Sequence, residues 1–134
     1  MATNETSLNG TVIGFEEYGQ YVLRDDFGAE SPFRILSCHE ASLSFLIVNP
    51  FAVLDNYDYE LDDVIIGKLH LSGNAIQHVA TLCIARVEDG KLFVNFRSPL
   101  IINTDKGIFH QVILPNESYG VSVMISIDAS EGGK

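Results

Sequence analysis

Between Leu43 and Val48 the chain reads Leu-Ser-Phe-Leu-Ile-Val, a short and almost unbroken apolar run. Six such residues are too few for a buried helix, and phenylalanine, isoleucine and valine favour a strand covered on both faces. Asn49-Pro50 ends the run, because proline has no backbone N–H to give and restricts the residue before it. The next segment, Asp55-Asn56-Tyr57-Asp58-Tyr59-Glu60, is too charged to fill a core and reads as a surface loop of rigid aromatics among carboxylates. If it is extended, Tyr57 and Tyr59 share one face while Asp58 and Glu60 point the other way.

The rest of the chain repeats the first theme. Short apolar runs rich in strand formers alternate with turn signals, giving expected strands at residues 10–14, 21–25, 33–37, 44–49, 79–87, 92–96, 100–103, 107–114 and 119–127. Glu88-Asp89-Gly90-Lys91 is a hairpin signal, Thr104-Asp105-Lys106-Gly107 a second, and Pro115-Asn116-Glu117-Ser118 a third reversal. From Val79 onward this predicts an antiparallel meander. Helical signals are few. Asp62-Asp63 before Val64-Ile65-Ile66-Gly67-Lys68 places acids at the positive end of a short helix and a lysine near its negative end. Residues 39–42 have room for one further turn, residues 67–74 are expected to flex, and the Ser/Glu/Gly tail 129–134 is expected to be disordered. The expected fold is mostly β: one small antiparallel, barrel-like domain over residues 1–128 with one or two short helices.

A chain of 134 residues supports one hydrophobic core. No segment approaches the ~20 apolar residues of a membrane span. The opening MATNETSLNG lacks the basic start and apolar stretch of a secretion signal, so a cytoplasmic protein is expected. Cys38 and Cys83 then read as buried or half-buried, inert thiols rather than a disulfide. The formal charge of −10 is unevenly spread: residues 1–67 hold twelve Asp/Glu against Arg24 and Arg34, while residues 68–134 balance six against six. Phosphate contacts need a basic patch, so direct nucleic-acid binding is not expected. An acidic face suits a basic protein partner and speeds its approach.

Chemistry-bearing residues do not assemble into a site. His39, His70, His78 and His110 lack metal-ligand spacing, and Cys38 and His39, as strand neighbours, point to opposite faces. Cys83 sits between Leu82 and Ile84, where a thiol is not activated. The acid pairs Glu16-Glu17, Asp25-Asp26 and Asp62-Asp63 are turn residues or element ends, without the burial that splits carboxyl pKa values. No glycine-rich phosphate cradle precedes a helix. The expectation is a non-enzyme with no cofactor and no metal. The candidate partner-binding residues are Phe51, Asp55, Tyr57, Asp58, Tyr59, Glu60, Asp62 and Asp63, with Phe51 also placed to cap the core. Asn103 is expected to cap a turn, and Glu16 to accept from nearby backbone N–H groups.

Several blocks together resemble the FliW family of flagellar assembly factors. They are Ile13-Gly14-Phe15-Glu16 with Tyr21-Val22-Leu23; Pro32-Phe33-Arg34; Leu43 to Phe51; Tyr57-Asp58-Tyr59-Glu60-Leu61; Asn95 to Asn103; and Gln111-Val112-Ile113-Leu114 with Tyr119. They cover about residues 10 to 123. The chain departs from the family pattern at Val12-Ile13, where Leu-Pro is usual, at Asn49, where an acid is usual, and after Tyr119, where basic residues give way to Gly120-Val121-Ser122-Val123. The resemblance implies a protein that binds flagellin in the cytoplasm and, alternately, the translational repressor CsrA, antagonising CsrA allosterically. A monomer when free is expected from the residues, since a long apolar edge favours dimers but acids on the edges resist them. A second reading from the residues alone is a small acidic β-barrel that binds a sugar or peptide, as a binding domain or an enzyme.

Overall fold

In the computed structural model, which describes residues 5–71 and 78–125, the chain forms nine strands and two short helices. They are β1 (Glu5–Thr11), β2 (Gln20–Arg24), β3 (Phe33–Cys38), β4 (Ser44–Val48), α1 (Pro50–Val53), α2 (Asp63–Lys68), β5 (Val79–Glu88), β6 (Lys91–Val94), β7 (Leu100–Asn103), β8 (Ile108–Gln111) and β9 (Val123–Ile125). Seven strands close on themselves in the order β4-β3-β2-β1-β8-β7-β5, because β4 also pairs with β5. β6 and β9 extend the sheet beyond the barrel. The barrel-like β fold read from the sequence is the fold observed.

The pairings are antiparallel except that of β1 with β8, which run parallel through Asn9↔Ile108 and Thr11↔His110. Closure requires this. Strand directions that alternate around a ring of odd number must meet one neighbour of the same direction. That parallel contact is also tight: a Cβ on Gly10 would lie 2.3 Å from the Phe109 carbonyl oxygen and 2.5 Å from its ring.

β5 is the central element. Its first half pairs with β7 (Val79↔Asn103 to Leu82↔Leu100), its second half with β6 (Ala85↔Val94 to Glu88↔Lys91), and β4 pairs along Cys83–Ala85. The Thr104 N–H donates to the His78 carbonyl and the Asn95 N–H to the Ile84 carbonyl. Residues of like parity point to the same strand edge, so β7 and β6 lie in tandem along one edge of β5. The expected meander is corrected here. β6 and β7 do not pair, because Asn95 Oδ1 accepts from the Arg97 and Ser98 N–H groups and turns the chain back onto β5.

Alternation along these strands sorts the apolar residues into two cores. Leu8, Tyr21, Leu36, Ile47, Leu82, Leu100, Ile102 and Phe109 form one cluster. Val48, Cys83, Ala85, Ile101, Val112 and Leu114 join Tyr57, Leu69, Leu71, Leu92, Val94 and Phe96 in another. Neighbours such as Ile47 and Val48 thus serve opposite faces of one wall, as the unbroken run at β4 predicts. One core fills the barrel. The other lies outside it, beneath the segment from α1 to α2 and the β6–β9 extension.

Local chemistry explains most boundaries. The hairpin at Asp89-Gly90 turns with φ of 54° and 74°, the paired positive values that match strand twist. β1 begins at Glu5, five residues before the strand read from sequence; it is polar except for Leu8 and carries little apolar signal. Asn49-Pro50 does more than stop β4. Asn49 Oδ1 accepts from the Phe51 N–H at 3.0 Å and Pro50 occupies the first turn, so the pair starts α1. Asp62 likewise caps α2, accepting from the Ile65 N–H at 2.9 Å, with Lys68 in its last turn as expected. Residues 39–42 form no helical turn. They bend so that the Cys38 N–H reaches the Leu43 carbonyl at 2.7 Å, and Glu40 Oε1 accepts from the Gly19 and Gln20 N–H groups. Those backbone donors hold the Glu40 carboxyl below the ordinary carboxylate range. Glu16 accepts from the Gly14 N–H, and Asn103 caps the turn after β7 while donating to the Leu69 carbonyl. Both cysteines are buried and free. Of the segment expected to flex, residues 67–71 end α2 and bury Leu69 and Leu71, while residues 72–74, like the tail 129–134, fall outside the described residues.

Gly10→Ala is expected to destabilise the protein by about 3 kcal/mol through overpacking, since the obstructing atom is backbone and cannot swing aside. The check is the urea midpoint; a loss below about 0.5 kcal/mol would show that the β1–β8 contact relaxes freely.

Candidate functional site

The segment from Pro50 to Lys68 is built in two layers. Tyr57 is its anchor. It follows Asn56, whose φ of 64° turns the chain inward, and it is only 5% exposed. Its ring sits among Phe51, Tyr59, Phe96 and Tyr119 at centroid distances of 5.5, 6.0, 5.7 and 4.8 Å. Its hydroxyl donates to the Phe96 carbonyl at 2.7 Å and accepts a weak bond from Cys83 Sγ. Tyr59 is half-buried and bonds the Thr81 hydroxyl on β5. The Tyr119 hydroxyl accepts from the Asp58 N–H at 2.9 Å, holding the segment from its other side. The expectation of displayed tyrosines is therefore corrected: Tyr57 braces the segment from beneath, and Phe51, 54% exposed, is the aromatic shown to solvent.

The acids form the outer layer. Asp55, Asp58, Glu60, Asp62 and Asp63 are all exposed. Tyr57 and Tyr59 point inward and Asp58 and Glu60 outward, as the two-residue period requires. Among the described residues the ion pairs are Arg24–Asp26 and Arg86–Glu88, so none of the five acids has a cation partner there. Asp62 is committed locally as the cap of α2, and Asp58 Oδ1 accepts from the Tyr59 N–H.

Phe96, Tyr119 and the strip 112–115 were not among the candidates read from sequence. Phe96 and Tyr119 stand in family-like blocks, but nothing in their spacing says that they converge on Tyr57. Val112, Ile113, Leu114 and Pro115 face Glu60, Leu61, Asp62 and Ile65 across a groove of about 230 Å³, and a contiguous groove of about 280 Å³ runs on past Asp58 and Tyr59 to Asn116.

Burial sets the proton chemistry beneath this surface. It pushes the Cys83 thiol up to about 12 and raises the Tyr57 and Tyr59 phenols above their ordinary values. These groups stay protonated and inert near neutrality. His110, half-buried on β8, is held below the usual histidine value by burial and by the charge of Lys68. Among the described residues no three of His, Cys, Asp and Glu are placed to hold a metal, and no helix is long and apolar enough to cross a membrane.

Two outcomes follow from the bracing. Tyr57→Phe keeps the ring contacts but leaves the buried Phe96 carbonyl without its donor, for an expected loss of about 1–2 kcal/mol by urea unfolding; an unchanged midpoint would count against the anchor. For the raised Cys83, Tyr57 and Tyr59, the folded state holds its protons more tightly than the unfolded chain. Their contribution is complete below the ordinary thiol value of 9.0 and is lost as pH rises from there toward about 12. The urea midpoint should fall over that window, and less steeply in Cys83→Ala.

Comparison with known proteins gives this arrangement a lineage. The sequence model of the family described as FliW protein matches residues 3–125. Flagellar assembly factor FliW of Desulfitobacterium hafniense (strain DSM 10664 / DCB-2) is 35% identical over 104 residues, covering 77% of this chain and 68% of the relative. The protein of the same name from Alkaliphilus metalliredigens is 32% identical over 109 residues, covering 81% and 67%. A crystal structure of the flagellar assembly factor FliW superposes with a TM-score of 0.77 at 31% identity, over 88% of this chain and 84% of that one. With its closed barrel, its braced acidic segment and a match along nearly its whole length, the chain belongs to the FliW family.

Proposed function

We propose that this chain is a cytoplasmic flagellar assembly factor that binds flagellin and, alternately, the translational repressor CsrA, and that it works by binding rather than by catalysis. The observation that carries this reading is the run of five exposed carboxylates with no cation partner among the described residues, held on a segment braced by Tyr57 and Tyr119. An RNA-binding repressor carries basic surface, and a pre-ordered acidic segment suits such a partner at little ordering cost. The grooves beside the segment are small and rimmed by acids, which supports a protein partner over a sugar-sized ligand.

In this reading the two partners exclude each other by a shared surface or by coupling. Abundant flagellin occupies the factor and leaves CsrA free to repress flagellin translation. As flagellin is exported, the released factor binds CsrA and antagonises it allosterically. Exchange of this kind needs each partner to weaken the other, reciprocally.

Calorimetric titration with CsrA, with flagellin, and with each in the presence of the other tests the proposal. Saturable binding of both with mutual displacement supports it; binding of neither overturns it. Asp55→Lys/Asp58→Lys/Glu60→Lys, which leaves the Asp62 cap intact, should slow CsrA association roughly tenfold or more at low salt and flatten its salt dependence. Unchanged association kinetics would remove this segment from the CsrA interface.

A further inference from the structure

A closed barrel should have no free edge, yet this one has a short free edge on β8. Beyond Gln111 the chain keeps its ladder with the residues before β7: the Val112 N–H donates to the Pro99 carbonyl and the Leu114 N–H to the Arg97 carbonyl, at 3.0 and 2.8 Å. On the other side β1 pairs with β8 only as far as Thr11↔His110 and then departs, its last link being the Ile13 N–H to the Gln111 side chain. Alternation points the backbone groups of Ile113 toward the side that β1 has left. Neither its N–H nor its carbonyl finds a partner among the described residues, and its side chain is 63% exposed.

Across the groove lies a second unpaired stretch. Residues 59–61 belong to no strand or helix, and the N–H groups of Glu60 and Leu61 have no partner among the described residues. Between the two stretches the groove is lined by Val112, Leu114, Leu61 and Ile65, with Glu60 and Asp62 on its rim. It thus combines free main-chain donors and acceptors on both walls, an apolar lining, and carboxylates on one lip.

We propose that this groove takes an extended peptide segment as an added strand, and that the segment alternates basic with apolar residues. Main-chain hydrogen bonds to Ile113 and Glu60 would supply affinity regardless of sequence, and every second side chain would enter the apolar lining. The remaining side chains would face the acidic lip, which selects lysine or arginine and repels acids. An apolar small molecule would leave the free backbone groups unpaired, and an acidic peptide would meet Glu60 and Asp62 at close range. The inference deepens the functional proposal, since the segment would belong to one of the two protein partners.

The probe is a capped hexapeptide of alternating lysine and valine, titrated into the isotopically labelled protein and followed by amide chemical shifts. Saturable shifts centred on Glu60, Leu61, Ile113 and Leu114 are expected. A glutamate–valine counterpart, a lysine–valine peptide N-methylated on its groove-facing amides, and the lysine–valine peptide against Ile113→Arg should each bind ~10-fold more weakly or worse. Ile113 is exposed, so the variant's urea midpoint should be unchanged, separating loss of binding from loss of fold. No binding, shifts centred elsewhere, or indifference to N-methylation would overturn the groove assignment, whatever CsrA and flagellin do. Peptide binding in the groove with neither full-length partner bound would leave the groove standing and remove the functional reading.

Discussion

The molecule depends on a barrel wall that is apolar on both faces. β4, β5 and β7 place Ile47, Leu82, Leu100 and Ile102 in one core and Val48, Cys83, Ala85 and Ile101 in the other. A barrel filled on the inside and polar outside would have nowhere to seat the excursion from α1 to Leu71. Here the outer apolar face is the seat, and that segment closes over it. Tyr57 is the bolt, since its ring adds to that outer core while its hydroxyl reaches the Phe96 carbonyl beyond β6. Burying a tyrosine with its hydroxyl satisfied gains the area of the ring without leaving a polar atom stranded.

This division of labour separates support from recognition. Inward residues of the segment are aromatic or aliphatic and fixed; outward residues are carboxylates without ionic partners among the described residues. Exposed acids alone on a floppy loop would lose ordering entropy on binding, about 1–2 kcal/mol for each backbone residue fixed. Bracing from Tyr57, Tyr59 and Tyr119 moves that loss into folding. Phe51 bridges the layers, because its exposed ring touches the buried Tyr57 ring.

Much of the fold was legible in the sequence because period-two patterning and turn chemistry are local. Asp89-Gly90, the Asp62 cap and the two-faced run at β4 each carry their instruction within a few residues. What stayed illegible is long-range. The polar strand β1 is defined by its partners rather than its composition, and the tandem placement of β6 and β7 along β5 depends on the turn at Asn95. At the site, the alternation of tyrosine and acid gave the correct sides but not their roles. Only the fold brings Phe96 and Tyr119 under Tyr57, so the aromatic residues read as displayed prove to be support.

Odd-numbered closure carries a further consequence. The single parallel contact between β1 and β8 ends after three residue pairs, and where β1 departs the β8 edge is left open at Ile113. Open edges invite pairing with any extended chain, including another copy of the same protein. The acids of Asp58, Glu60 and Asp62 stand beside this edge, and the chain that would approach as a second copy carries a formal charge of −10. Like charge makes self-pairing there unfavourable, while a basic strand meets attraction at the same place. One set of carboxylates thereby protects the edge from the protein itself and leaves it available to a partner of opposite charge.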